Sequence, residues 1–189
     1  MSIKIYIDQG HNPRDYNTGA EGNGFFEQDI TYDVGKRLYA LLSARPEFEV
    51  KLSRPTSDTV LGTNNASSLT ERVREANSWG ADVFISLHTN ASLNENATGS
   101  EALIYSRSSN VALDLSDDIL RELNLATGLR NRGVKERPGL YVLRRTNMPA
   151  VLVEMGFITN PTDAELMAYS PDLFARGIYR GIIDYYGLS

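Results

Sequence analysis

Two runs of the chain, DVFISLH (residues 82–88) and AVLVEMGF (residues 150–157), are apolar along most of their length. Runs of this length and composition are typical of strands that are buried on both faces of a sheet. Such a sheet needs helices on both faces, because a strand with one face in water alternates apolar and polar residues. These two runs therefore predict an α/β fold.

Further strand patterns occur along the chain. Residues 3–7 and 48–54 alternate apolar and other side chains with the two-residue period of a strand, and the first of these breaks at Asp8-Gln9-Gly10. Strands are also predicted at SEALIYS (residues 100–106) and LYVLRR (residues 140–145). With the two apolar runs, these segments predict a mixed, mostly parallel sheet of about six strands with helices on both faces.

Helix patterns separate most of these strands, with apolar residues three to four apart. The segment SLTE (residues 68–71) fits a capping box, which predicts a helix start there, and Gly80 is its predicted end. A later helix is predicted to end near Gly128. The pairs Asn160-Pro161 and Ser170-Pro171 predict two closing helices, each with proline in its first turn.

Composition limits the possible function classes. The chain has 189 residues and no linker or repeat, so we expect residues 1–189 to form a single domain. The formal net charge of −5 argues against nucleic-acid binding. We also expect no membrane span, because no apolar run approaches about 20 residues, and no signal segment, because no charged-then-apolar stretch precedes the first strand. The chain has no cysteine, so any metal would be held by His, Asp or Glu.

Both histidines of the chain lie where a predicted strand meets a polar loop. His11 follows the first strand, in IDQGHNP, and His88 closes DVFISLH. In open α/β sheets, ligands bind beyond the carboxyl ends of the strands, so two histidines at two such ends could meet at one metal site. Each could instead be a hydrogen-bonded loop or core histidine, and their placement alone leaves both interpretations open.

Glu27 is the candidate for a third ligand. A catalytic zinc site uses three protein ligands and leaves one position for water, and without cysteine the third ligand should be a carboxylate. Glu27 lies in the first turn of the first predicted helix, and the glycine-rich loop before it could fold it towards His11. A carboxylate at a helix N-terminus is also stabilised by the helix dipole, by about 0.3–1 kcal/mol, so Glu27 could have that role alone.

Glu154 is a carboxylate inside an otherwise apolar strand, where burial is costly unless the charge is paired or bound. Burial raises the pKa of an isolated carboxyl group, which suits a general base beside a metal-bound water. The alternative is a structural ion pair with Arg144 or Arg145. Glu101, near the start of SEALIYS, is a weaker candidate, because its Ser and Gly neighbours favour exposure.

A local basic stretch lies between residues 130 and 145. We interpret this stretch as a solvent-exposed face, or as a surface that could bind an anionic polymer. Its members are Arg130, Arg132, Lys135, Arg137, Arg144 and Arg145.

The order and spacing of several motifs, taken together, are similar to a known family. The chain resembles the zinc-dependent N-acetylmuramoyl-L-alanine amidases of the Amidase_3 type, which cut bacterial peptidoglycan, and the resemblance runs nearly from end to end. The motifs that carry it are IYIDQGHNP, TGAEGNGFFEQD, LSRPTSD, ERVREAN, ADVFISLHTNAS, GSEALIYS, LRNRGVKE, LYVLRRTNMPAVLVEMGFITN and a closing helix around GIYRGI.

The resemblance implies a role for each of four side chains. His11, Glu27 and His88 would be the ligands of one Zn²⁺ ion, and Glu154 the catalytic carboxylate. The implied substrate is peptidoglycan, cut at the amide between N-acetylmuramic acid and the L-alanine of the stem peptide. The chain would therefore act on the bacterial cell wall, and we expect it to be a monomer.

Other positions carry weaker implications. We expect Asn90 to support the ligands or contact the substrate, and Arg132 to pair with a carboxylate of the stem peptide. Gln9 and Asn12 depart from residues that the family often has around its first histidine, which could alter the pocket. Two other functions stay open: an inactive wall-binding module of the same fold, and a zinc carboxypeptidase acting on free peptides.

Overall fold

The computed structural model describes residues 2–188, which contain one main sheet and one short hairpin. The strands are β1 (Ile3–Gln9), β2 (Glu21–Gly22), β3 (Phe25–Phe26), β4 (Phe48–Leu52), β5 (Val83–Asn90), β6 (Ser100–Ile104), β7 (Asn131–Glu136) and β8 (Ala150–Phe157). The helices are α1 (Glu27–Ser43), α2 (Asn65–Trp79), α3 (Asn110–Thr127), α4 (Tyr141–Arg145), α5 (Pro161–Tyr169) and α6 (Pro171–Tyr185).

The main sheet has the strand order β4-β1-β5-β8-β6-β7. Strands β4, β1, β5 and β8 are parallel, and β6 and β7 run antiparallel to β8. The predicted mixed, mostly parallel sheet is therefore confirmed. One edge of this sheet combines the carboxyl ends of four strands with the amino ends of β6 and β7.

Helices cover both faces of the sheet, as the two apolar runs predicted. A large core contains side chains of α1, α3 and α6 and includes Leu87 and Val153. A smaller core on the opposite face contains side chains of α2 and α4 and includes Phe84 and Leu152. Neighbouring residues of β8 thus contribute to opposite cores, and Glu154 continues the series of Ala150 and Leu152 on the face with the smaller core.

Most of the predicted helix ends are confirmed. Gly80 and Gly128 end α2 and α3 in the left-handed conformation, with φ of 69° and 73°. Asn160 caps α5, and its side chain accepts a hydrogen bond from the backbone N–H of Asp163. Ser170 precedes α6 but makes no side-chain cap bond.

The predicted capping box at residues 68–71 is wrong. Helix α2 begins at Asn65, and its capping box joins Asn64 and Ser67. The Asn64 side chain accepts the Ser67 backbone N–H at 2.9 Å, and the Ser67 hydroxyl accepts the Asn64 backbone N–H at 3.0 Å. Asparagine is as good an N-cap as serine, so the earlier pair satisfies the first turn and the helix starts there.

The prediction of a strand at LYVLRR is also wrong. Its last five residues form α4, which buries Val142 and Leu143 against the smaller core. The sixth strand of the sheet is instead β7, in the preceding basic stretch. Strand β7 is an edge strand of mostly polar residues whose buried apolar side chain is Val134, so it lacks the alternation that identifies a half-buried strand.

Within residues 2–188, the helices are too short or too polar to cross a membrane.

Candidate metal centre

Three side chains meet at the edge of the sheet where the parallel strands end. His11 follows β1, Glu27 is the first residue of α1, and His88 lies near the end of β5. Each offers one potential ligand atom, and these atoms lie within 4.8 Å of one another. The spacing of the two histidines along the sequence suggested this meeting, and the fold brings Glu27 to the same place.

The separations suit a small tetrahedral ion. His11 Nε2 lies 3.2 Å from one carboxylate oxygen of Glu27, and His88 Nδ1 lies 3.1 Å from the other. Zinc with bonds of about 2.0–2.2 Å separates its donor atoms by about 3.3–3.6 Å in tetrahedral geometry. Two imidazoles and one carboxylate are also a donor set that catalytic zinc sites use. The residues present therefore fit zinc.

The orientation of His11 is set by backbone contacts. His11 has a φ of 69°, in the left-handed region that residues other than glycine seldom adopt. Its Nδ1 lies 3.1 Å from the carbonyl oxygen of Asn17, and since a carbonyl can only accept, Nδ1 carries the proton. The Nε2 lone pair is then free to face Glu27, as a metal ligand requires.

Glu27 is buried, and both of its carboxylate oxygens accept hydrogen bonds. One of its oxygens accepts the backbone N–H of Ala20 at 2.8 Å, and the other accepts that of Thr89 at 2.9 Å. Burial alone would raise the pKa of Glu27, but its contacts with His11 and His88 outweigh burial and hold the pKa well below its usual range. Glu27 is thus ionised in the folded protein, with contacts well beyond those of a helix N-terminal carboxylate.

Two glycines make the close packing at this centre possible. A Cβ atom on Gly10 would come within 2.6 Å of the His88 ring. A Cβ atom on Gly19 would come within 2.6–2.7 Å of the Glu27 side chain, including Oε2. Glycine at both positions therefore lets the loop backbone approach the side chains of the cluster.

A buried ion pair supports the loop that carries His11. Arg72, on α2, binds Asp8 at 2.5 Å, and both side chains are 1% exposed. The same guanidinium donates to the carbonyl oxygen of His11 at 2.7 Å, and Asp8 also accepts the Ser86 hydroxyl. The pair thereby joins α2, β1 and β5 directly beneath the cluster. Sequence reasoning missed it, although an aspartate in a buried strand was a signal like that of Glu154.

Glu154 faces the same site. It pairs in register with His88 on the neighbouring strand, so both side chains lie on the same face of the sheet. Its Oε2 is buried and has no hydrogen-bond partner within the described part of the chain. Burial, and then the negative charges of Glu27 and Glu101, raise the pKa of Glu154 to about 8. Among the ion pairs of residues 2–188, none joins Glu154 to Arg144 or Arg145.

Asn90 and Arg132 do not contact the cluster directly but converge on Glu101. The Asn90 amide donates to one carboxylate oxygen of Glu101 at 3.1 Å, and Arg132 Nε donates to the other at 3.0 Å. Lys135 binds that second oxygen as well. Glu101 is 5% exposed, so the prediction that its neighbours favour exposure is wrong, because these three partners compensate its burial.

Gln9 and Asn12 anchor the loop rather than line a pocket. Gln9 is fully buried, and its side-chain oxygen accepts the backbone N–H of Arg54 at 2.8 Å. Asn12 is also fully buried, and its amide donates to the carbonyl oxygens of Tyr16 and Leu61. These two departures from the residues expected around His11 therefore act on the shape of the loop.

A small cavity of about 100 Å³ opens beside the cluster. Its walls include His11, His88, Tyr141 and Leu152. Helix α4, which the sequence had predicted as a strand, supplies one of these walls. The cavity places the two histidines and the face of β8 within reach of a bound molecule.

Comparison with known proteins gives a consistent result. A family model described as N-acetylmuramoyl-L-alanine amidase, Amidase_3, matches residues 5–184. The chain is 38% identical over 190 residues to the N-acetylmuramoyl-L-alanine amidase CwlM of Bacillus licheniformis, covering 99% of this chain and 70% of that protein. It is 39% identical over 186 residues to the amidase LytC of Bacillus subtilis (strain 168), covering 96% of this chain but 35% of LytC.

A solved structure shows the same fold. The catalytic domain of CwlV, an N-acetylmuramoyl-L-alanine amidase from Bacillus (Paenibacillus) polymyxa var. colistinus, matches with a TM-score of 0.85 at 29% identity, and the match covers 99% of each chain. The family model spans nearly the whole chain, and the geometry of the site agrees with a hydrolase that uses histidine and carboxylate side chains. The chain belongs to the Amidase_3 family of N-acetylmuramoyl-L-alanine amidases.

Proposed function

We propose that this chain is a zinc-dependent peptidoglycan amidase that cuts the amide between N-acetylmuramic acid and the L-alanine of the stem peptide. The observation that supports this most strongly is the meeting of His11, Glu27 and His88 beside Glu154, whose buried Oε2 has no hydrogen-bond partner among residues 2–188. The family match supports the choice of substrate and bond.

In this proposal His11, Glu27 and His88 hold one Zn²⁺ ion. The two imidazoles are neutral ligands and Glu27 carries one negative charge, so the site keeps a net charge of about +1. When bound, the ion would lower the pKa of a coordinated water to roughly 7 and polarise the scissile carbonyl. Asn17 and Arg72 act through His11, by fixing its tautomer and its backbone.

Glu154 moves the proton. Its carboxylate takes a proton from the water whose oxygen attacks the carbonyl carbon. When the carbon–nitrogen bond breaks, Glu154 gives that proton to the alanine nitrogen, which leaves as an amine while the lactyl group becomes a carboxylic acid. The burial of Glu154, which is the largest cause of its raised pKa, suits both steps, because a buried carboxyl group can hold the proton between them.

The remaining expectations belong to the same proposal. We take residues 1–189 as one catalytic domain that works as a monomer on the bacterial cell wall. Arg132 would pair with a carboxylate of the stem peptide, and Asn90 would act through Glu101.

The test is a digest of purified peptidoglycan followed by mass spectrometry of the soluble products. We expect peptides with a free amino-terminal alanine, together with glycan strands that keep intact lactyl groups. The Glu154→Gln variant should bind the wall but release peptides at least a hundredfold more slowly.

Two other results would point to other functions. Wall binding with no released peptides, in a protein loaded with zinc, would indicate an inactive binding module. Release of single amino acids from the free carboxyl end of the stem peptide would indicate a carboxypeptidase. Full activity in Glu154→Gln would show that Glu154 does not transfer the proton.

A further inference from the structure

A pair of cations lies on the same face of the sheet as Glu154. Glu101, on β6, is the register partner of Glu154 on β8. Arg132 and Lys135, on the next strand, both bind one oxygen of Glu101, at 3.0 and 2.5 Å. We call Arg132 and Lys135 the cation pair. The catalytic proposal gives Lys135 no role.

A bulge in β7 turns Arg132 towards that face. Ser100 pairs with Asn131 and Ala102 pairs with Val134, so two residues of β7 lie opposite the single residue Glu101. The extra residue lets Arg132 and Lys135, three positions apart, share the face that Glu101 occupies, whereas residues three apart in a regular strand point to opposite faces. Gly133 has a φ of 78°, a conformation that favours glycine.

A second bulge brings an aromatic ring beneath Arg132. His88 pairs with Glu154 and Asn90 pairs with Phe157, so β8 also contains one extra residue. Phe157 therefore shares the face of Glu154, and its ring centre lies 4.9 Å from the Arg132 guanidinium. Bulges that redirect side chains are common beside active sites, and here two neighbouring ones converge on a single guanidinium.

The cation pair retains unused binding capacity. Glu101 contributes one negative charge against two positive charges, so the three side chains together keep a charge of about +1. Arg132 Nη1 donates to the Thr98 carbonyl oxygen, but Nη2 has no partner among the residues that the structure describes. The side chains of Arg132 and Lys135 are 28% and 34% exposed, so a ligand can reach them.

We propose that the cation pair binds a free carboxylate of the stem peptide, on the second or third residue beyond the scissile amide. This inference rests on the proposed amidase function. Neighbouring strands lie about 4.8 Å apart, so β7 is about 10 Å from β8 and Glu154. An extended peptide rises about 3.3–3.6 Å per residue and covers that distance in about three residues. Arginine and lysine together match the charge and the two oxygens of a carboxylate.

The test compares synthetic muramyl peptides that differ at one group. In one substrate the carboxylates of the second and third residues are free, and in two others either one is converted to a neutral carboxamide. We expect kcat/KM to fall about 10- to 100-fold for one of the two carboxamides, through a rise in KM. For the Lys135→Met variant, we divide kcat/KM for the substrate with free carboxylates by kcat/KM for the carboxamide that slows the wild type. This ratio should fall to within about threefold of one.

Arg137→Met is the matched control. It also removes one cation from the basic stretch, but Arg137 follows β7 at the far end from Glu154, and its side chain contacts the carbonyl of Glu136. We expect it to keep the wild-type ratio. If the ratio falls by the same factor in Arg137→Met, the net charge of the basic stretch alone explains the preference for a free carboxylate. That result would overturn the subsite.

Other results separate failure of the subsite from failure of the proposed function. If the wild type cuts none of the substrates or intact walls, the amidase proposal fails. If it cuts all three substrates at equal rates, the amidase proposal stands and the subsite is wrong. If rates are equal but poly(glycerol phosphate) competes with the walls, and Lys135→Met abolishes that competition, the cation pair binds an anionic wall polymer instead.

Discussion

At the scale of single residues, the unusual feature is a carboxyl group that nothing compensates. Among residues 2–188, Glu154 Oε2 is buried without a hydrogen-bond partner, and the charged groups that shift its pKa are the carboxylates of Glu27 and Glu101. An uncompensated carboxyl group costs stability, because ionising it in this position is unfavourable. The zinc proposal explains the arrangement, since the positive charge of the ion would offset the repulsion.

This cost predicts a stabilising substitution in metal-free protein. The pKa of Glu154 is about 8 in the folded chain and near 4.5 in an unfolded one, so stability falls as pH rises from 4.5 to 8. Glu154→Gln removes that loss and should raise the free energy of unfolding at pH 8 by about 1–3 kcal/mol, with little change at pH 4.5. Urea unfolding with a chelator present at both pH values measures this. A variant less stable than wild type at pH 8 would contradict it.

A second residue-scale prediction concerns Gly19. A methyl group there would overlap the Glu27 side chain, so Gly19→Ala should displace Glu27 and weaken zinc binding about 10- to 100-fold. Isothermal titration of the metal-free protein with zinc gives the affinity. Gly139→Ala is the control, because a Cβ atom there would contact nothing within 4 Å. Equal affinities in the two variants would mean that Gly19 does not position Glu27.

The sequence placed the four principal residues of the site but not their surroundings. Two histidines at strand ends and one carboxylate in an apolar strand are visible as patterns, and the family resemblance supplied Glu27. The Asn17 carbonyl that orients His11 and the positive φ of His11 are backbone features, which no side-chain pattern reveals. Lys135 was visible only as one cation among several in the basic stretch.

At the scale of elements, the Asp8–Arg72 pair connects α2 to β1 and β5 beneath the candidate metal centre. A buried charge that loses its partner is strongly destabilising, typically by about 3–5 kcal/mol. The pair therefore fixes α2 against the sheet, and with it the loop that carries His11.

Arg72→Met tests this connection. It leaves Asp8 buried without its counter-ion, so the free energy of unfolding should fall by about 3–5 kcal/mol in urea titrations. Adding Asp8→Asn to that variant should restore part of the loss, because no charge is then left unpaired. Arg74→Met, an exposed neighbour on α2, should change stability by less than about 0.5 kcal/mol. A loss below 1 kcal/mol in Arg72→Met would argue against the pair as a main support.

The elements that the sequence missed or misassigned are the edge strand β7 and the short helix α4. Strands buried on both faces, such as β5 and β8, are long apolar runs and were predicted correctly. Strand β7 pairs on one side only and carries polar side chains, and α4 is too short for helical periodicity to show. Both misassigned elements border the site, where side-chain choice follows function more than packing.

At the scale of the whole molecule, the topology determines where chemistry can occur. The parallel strands bring His11, His88 and Glu154 to one edge, and the reversed β6 and β7 bring Glu101 and Arg132 beside them. The strand alternation predicted this layered α/β architecture. It could not predict which strands run in the reverse direction, because strand direction depends on how connections pack rather than on the apolar pattern within a strand.

In the proposed function, one zinc ion at His11, Glu27 and His88 makes this chain a peptidoglycan amidase. The most direct test adds zinc stepwise to metal-free protein and follows release of peptides with amino-terminal alanine from purified peptidoglycan. We predict that the rate is near zero without zinc, rises in proportion to added zinc, and levels off at one equivalent. Full peptide release by the metal-free protein, or no release at any zinc level, would contradict the claim.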